Sequence, residues 1–290
     1  MDLGKLGISR RPVAMAAALV GMVSLAIGAH AALNMRALDA ARAVATGQAD
    51  AAIAGRPSRL ALVIGNGHYP DANAPMTQPI NDARALTASL RRDGFDGDVV
   101  EDATKDDMTR AVARLKSRIK PDSVVMLFFG GYGVQAGSES YMIPVDATIW
   151  KEADVRRDGV SVESVLDAMK EQGACAKLVV LDASRRNPYE RRFRSFSHGL
   201  APIAAPDNAL ILTSAMPGQV ADDSRGQHSV LVTELLNNLN ARESAKTAAA
   251  AETIFNNTRV AISRASDGAQ VPSVSSSLLE DVRFGADAGS

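Results

Sequence analysis

From residue 59 onward, apolar and polar positions alternate between two rhythms. Residues 60–64 (LALVI) form an unbroken apolar run that stops at Gly65. Such a run predicts a strand buried on both faces. Residues 80–92 change to a helical spacing, with Ala83, Leu86 and Leu90 on one face. Residues 95–100 predict a second strand. Residues 106–119 predict a second helix, with Thr104 as its N-cap and Asp107 three residues on. Residues 124–129, 178–181 and 210–213 predict three further buried strands, and residues 140–144 a short strand or hairpin arm. Residues 162–171 predict a helix ended by Gly173. Residues 230–239 and 248–262 predict two more helices, and residues 271–284 one last extended segment. This alternation implies an α/β fold: a mostly parallel central sheet with helices on both faces. In such sheets ligands bind beyond the carboxyl ends of the strands. The places to look are therefore after Ile64, Phe129 and Leu181.

The first 57 residues follow other rules. Lys5, Arg10 and Arg11 precede an uncharged run, residues 13–33, and Arg36 follows it. A positive flank before an apolar stretch reads as a targeting segment, an N-terminal hydrophobic helix long enough to span a bilayer. Ala29-His30-Ala31 fits a signal-peptidase site, so residues 1–33 are expected to be a signal peptide or a membrane anchor. Either places the remainder in the periplasm or outside the cell, because the positive flank stays inside. Residues 34–57 read as an alanine-rich helical spacer, residues 58–285 as the folded domain, and residues 286–290 as a disordered tail.

Composition narrows the chemistry. Of 290 residues, 46% are hydrophobic, which is enough for one sizeable core. A net charge of −1 offers no global attraction for nucleic acid. One cysteine, Cys175, allows no internal disulfide and no thiolate cluster. It lies before the fourth strand and reads as a small buried apolar residue. The four histidines, His30, His68, His198 and His228, show no metal-ligand spacing. No metal and no cofactor are expected. Gly65-Asn66-Gly67-His68-Tyr69-Pro70 has proline where a dinucleotide loop needs glycine or alanine, and no GxxxxGK[ST] loop occurs.

The strand ends carry distinctive residues. Phe128-Phe129-Gly130-Gly131-Tyr132-Gly133-Val134-Gln135 follows the third strand, and Leu181-Asp182-Ala183-Ser184-Arg185-Arg186-Asn187-Pro188-Tyr189 the fourth. These segments resemble the caspase-like peptidases, the clan of caspases, metacaspases and bacterial orthocaspases. Bacterial members commonly read Tyr-Ala-Gly-His-Gly-Val-Gln and Leu-Asp-Ala-Cys-Arg-Asn-Asn-Pro-Phe at these places. The resemblance extends to Leu62-Val63-Ile64-Gly65-Asn66, Asn81-Asp82-Ala83, Met142-Ile143-Pro144-Val145-Asp146-Ala147, Gly199-Leu200-Ala201-Pro202, Gln270-Val271-Pro272 and Ser275-Ser276-Ser277-Leu278. It spans residues 59–284 and implies the caspase-like three-layer sandwich.

The resemblance also marks what is missing. The family's catalytic histidine position holds Tyr132 and its cysteine position holds Ser184. A cysteine works through a thiolate made accessible by a neighbouring imidazole, whereas a serine hydroxyl needs a positioned base. A phenol with a pKa near 10 is neutral at pH 7 and cannot take that proton. The two residues are expected to hydrogen-bond to each other as an inert pair. His68, His198 or His228 remains open as an imported base, since such triads are defined by geometry.

Other parts of the family site are kept. By resemblance, the backbone N–H groups of Gly133 and Ser184 form the oxyanion hole. Asp82 and Asp182 match the acids with which metacaspase-type members hold a substrate arginine or lysine. Helix capping with Asn81 is the competing role for Asp82, and a strand-end turn the competing role for Asp182. Arg185, Arg186, Arg191, Arg192 and Arg194 form a basic stretch that faces acidic partners or lipid headgroups, stays solvated, or folds back into its own acidic pocket. The leading expectation is a non-catalytic, pseudo-enzyme member that binds basic peptides or proteins. An active endopeptidase using Ser184 with an imported histidine is one alternative, and a structural envelope protein the other. The membrane is expected to be a partner only through the N-terminal segment.

Overall fold

The computed structural model describes residues 57–70, 76–185, 199–221, 226–245 and 248–285. The chain divides into two compact units, Met1–Arg56 and Pro57–Ser290, and all described residues belong to the second. The N-terminal targeting run, the alanine-rich stretch up to Arg56, His198, four of the five arginines and the tail 286–290 lie outside the described residues. Among the described residues, no helix is long and apolar enough to cross a membrane.

The described unit is a mixed α/β fold around a six-stranded sheet ordered β10-β8-β7-β3-β1-β2. Its strands are β1 (Arg59–Gly65), β2 (Asp96–Glu101), β3 (Val124–Gly130), β7 (Ala176–Asp182), β8 (Ala209–Thr213) and β10 (Ser273–Ser276). All neighbours pair parallel except β10, which runs antiparallel to β8. The apolar runs of β1, β3 and β7 are continuous because both of their faces are buried, and successive residues serve opposite cores. Val63, Met126, Phe128, Leu178 and Val180 face helices α1 (Gln78–Arg92), α5 (Val230–Ala245) and α6 (Ala251–Ala265). Leu62, Ile64, Leu127, Phe129, Val179 and Leu181 face α2 (Lys105–Arg118) and α4 (Val162–Glu171). The mostly parallel sheet with helices on both faces is the expected architecture.

Beyond the carboxyl edge sits a three-stranded antiparallel sheet of β4 (Gly133–Ala136), β5 (Glu139–Met142) and β6 (Val160–Ser161), with helix α3 (Glu152–Asp158). It covers its own small core of Val134, Tyr141, Ile143, Ile149 and Val155. Strand β9 (Ala249–Ala250) pairs with β11 (Arg283–Phe284) in a separate ribbon. Two sequence readings need correction here. The helix expected over 248–262 begins only after β9, at Ala251, and runs to Ala265. The last extended segment is two strands in two sheets, because β10 joins the central sheet and β11 pairs with β9.

Candidate functional site

Register assembles the site. Gly65 lies opposite Gly130, and Gly130 opposite Asp182, so β1, β3 and β7 end level with one another. Tyr132 and Ser184 each lie two residues past that line, which brings the loops after β3 and β7 together. Backbone bonds join the ends: Asn66 N–H to Gly130 O at 2.8 Å, Gly131 N–H to Asp182 O at 3.3 Å, and Gly133 N–H to Ala183 O at 2.9 Å. Asn66 is fully buried and ties in the neighbouring loops. Its amide oxygen accepts from Ala103 N–H at 2.8 Å and its amide group donates to Ile143 O at 3.2 Å.

Ser184 is fully buried, and its Oγ has no hydrogen-bond partner among the described residues. The expected Tyr132–Ser184 hydrogen bond is therefore not formed. Tyr132 packs edge-on against Tyr69 instead, with ring centroids 4.8 Å apart and planes at 61°. The Tyr69 hydroxyl accepts from Tyr132 N–H at 3.1 Å and donates to Ile143 O at 2.9 Å. Gly131 is needed beside it: a Cβ there would lie 2.6 Å from that hydroxyl. Tyr69 was not singled out from sequence. Its only signal was an aromatic residue in the loop after a buried strand.

Both backbone donors matched to the oxyanion hole have internal acceptors. Gly133 N–H donates to Ala183 O, and Ser184 N–H donates to Ser214 Oγ at 3.3 Å. Ser214 is another residue that sequence reasoning missed. It follows β8 and is fully buried, and its carbonyl accepts from the Gln270 amide at 2.8 Å. Leu200 closes the site from another side, packed against Gly133 so tightly that a Cβ there would fall 2.5 Å from Leu200 Cδ2.

The two acids matched to substrate binding, Asp82 and Asp182, are both buried, and each is already engaged. Asp82 lies inside α1, whose N-cap is Thr77, so it does not cap that helix. Its carboxylate accepts from Ser229 N–H at 3.2 and 3.3 Å and lies 2.7 Å from His228 Nδ1. Ser229 in turn caps α5, its Oγ accepting from Val232 N–H at 3.1 Å. Asp182 forms a buried ion pair with Arg185, 3.3 Å from Oδ2 to a guanidinium nitrogen, with side chains only 3% and 4% exposed. Burial, then the nearby Asp182 charge, pushes the Asp82 carboxyl up to about 6, against the pull of His228 and Ser229. The Asp182 charge is thus felt at Asp82.

Neither described histidine serves Ser184. His68 is 59% exposed and pairs with Asp102 through Nδ1 at 2.5 Å. Burial raises the Asp102 pKa, but the amides of Gly67 and His68 and the His68 ring outweigh it and hold the carboxyl low. His228 is committed to Asp82. Cys175 is partly rather than fully buried, just before β7 and at the opposite end of that strand from Asp182, and burial raises its thiol pKa. Among the described residues, no group of three or more His, Cys, Asp or Glu is placed to hold a metal ion.

The sequence model of the caspase domain matches residues 58–283. Similar curated proteins include mucosa-associated lymphoid tissue lymphoma translocation protein 1 of Homo sapiens and its homolog in Mus musculus, each 28% identical over 133 residues. Those residues are 46% of this chain and 16% of either relative, so the chain matches only a small part of their length.

Proposed function

The chain belongs to the caspase domain family, and from that premise we propose that it is a member that has lost peptide cleavage and binds segments carrying arginine or lysine. The observation that carries this reading is Ser184. A nucleophilic serine needs a base within hydrogen-bond reach and an exposed path to substrate. Ser184 Oγ is buried and has no partner among the described residues, and the residue at the family's base position is a phenol. His68 and His228 are held by Asp102 and Asp82. An oxyanion would find the N–H groups of Gly133 and Ser184 already donating to other acceptors.

The acidic pocket supports the binding half. Asp82 and Asp182 are kept, buried and close enough to raise the Asp82 pKa. A buried carboxylate pair is costly to keep and suits a guanidinium or ammonium. By the positive flank and uncharged run of residues 13–33, the domain works outside the cytoplasm. A reporter fusion active only after export tests that placement.

Titration of the full chain with arginine- and lysine-containing peptides tests binding. Saturable binding weakened at least tenfold by Asp182→Asn is expected. Absence of binding by the wild type and by Arg185→Ala, which removes the guanidinium paired with Asp182, would favour the structural reading.

A further inference from the structure

Asp182 already holds a guanidinium. Arg185 turns back on itself, its N–H donating to Ala183 O at 2.8 Å, and so returns its side chain to Asp182 three residues earlier. The charged atoms sit 3.3 Å apart, and both side chains are almost wholly withdrawn from solvent. The other acid of the pair is satisfied separately, by His228 and by Ser229 N–H at the start of α5. Among the described residues, the basic group paired with Asp182 is therefore one that the chain itself supplies, in the chemistry expected of a ligand arginine.

We infer that Arg185 is an internal occupant of the acidic pocket, filling the place of a ligand guanidinium, so that basic segments bind only by displacing it. This rests on the pocket reading proposed above and adds how the pocket is controlled. Two guanidinium groups compete for the same carboxylate oxygens, because fork-shaped recognition leaves little room for both. A ligand competes against a tethered group, so its apparent affinity falls by the fraction of molecules in which Arg185 has left. Arg185 also explains why Asp182 tolerates burial: its charge is compensated within the chain.

The test compares the full-length wild type with Arg185→Ala, using N-acetyl-arginine methylamide as the probe and its citrulline counterpart as a neutral control. Binding to Arg185→Ala is expected at least tenfold tighter than to wild type, and citrulline is expected not to bind. Millimolar guanidinium chloride is also expected to raise the melting temperature of Arg185→Ala, but not of wild type, above that in sodium chloride. Arg185→Lys keeps the charge but loses the fork, and it carries both comparisons if Arg185→Ala does not fold. Equal binding by wild type and variant overturns the inference while leaving the pocket reading in place. No probe binding by any protein, even with guanidinium stabilisation of the variant retained, overturns the pocket reading and with it the inference that basic segments displace Arg185. Loss of both effects overturns both.

Discussion

His228 Nδ1 lies 2.7 Å from Asp82 Oδ1, joining a loop histidine to a fully buried helical carboxylate 146 residues earlier. The same carboxylate receives Ser229 N–H, so it anchors the start of α5 to α1. The bond has a stability cost as well as a benefit, because burial and Asp182 hold the Asp82 carboxyl up at about 6, against 3.8 in an unfolded chain. Between those values the folded state binds the proton more tightly. The Asp82 contribution is fully present below about pH 3.8 and is lost as pH rises through about 6, a change of about 3 kcal/mol. Asp82→Asn keeps an acceptor for Ser229 and removes the titration. The difference in urea-unfolding free energy between wild type and variant is expected to slope across pH 4–6 and to be flat above pH 7. A pH-independent difference would contradict the assigned burial.

Ser184 and Ser214 make opposite predictions. Ser184 Oγ is a buried hydroxyl with no partner among the described residues, so Ser184→Ala removes a desolvated group and leaves none of those residues unpaired. Its stability is expected to match or exceed wild type by about 1 kcal/mol. Ser214 Oγ accepts from Ser184 N–H, so Ser214→Ala leaves a buried donor unsatisfied and is expected to cost about 1–3 kcal/mol. Denaturant midpoints of the two variants, measured side by side, decide the order.

Gly133 is required by closeness rather than by backbone conformation. A Cβ would meet Leu200 Cδ2 at 2.5 Å and both Cβ and O of Ala183 at 2.8 Å. Gly133→Ala is expected to cost about 2 kcal/mol through overpacking. Leu200→Ala in the same chain should recover part of that cost, since the two sites touch and their effects are not additive. Full additivity would mean that Leu200 is not the neighbour that matters.

How much of this was legible from sequence depends on range. The strands β1, β3, β7 and β8 showed as apolar runs because both faces are buried, and their pattern is local. The N-cap of α2 was legible for the same reason: Thr104 accepts from Asp107 N–H at 3.2 Å, and Thr104 N–H returns a bond to the Asp107 carboxylate. Helix α3, EADVRRD, was missed because only Val155 and Asp154 are buried on it, too few to mark a face. The extra pairing of β9 with β11 was missed because two-residue strands carry no period. At the site, Tyr132, Ser184, Asp82 and Asp182 were marked by motif: Asp182 ends β7, Tyr132 and Ser184 follow strand ends by two residues, and Asp82 lies inside α1. Their partners were harder. Arg185 was one of five arginines with three open roles, and only the turn at Ala183 selects it for Asp182. His228 and Ser214 meet the site through contacts 146 and 30 residues apart, which no local pattern encodes.

The claim that Ser184 is not a nucleophile is tested most directly by treating the folded full-length protein with a fluorophosphonate and measuring its intact mass. Ser184 is buried, and its Oγ has no bonded base among the described residues. No adduct is therefore expected at Ser184 under conditions that fully label an active serine hydrolase. Stoichiometric labelling that disappears in Ser184→Ala would contradict the account and restore an active peptidase as the function of this domain.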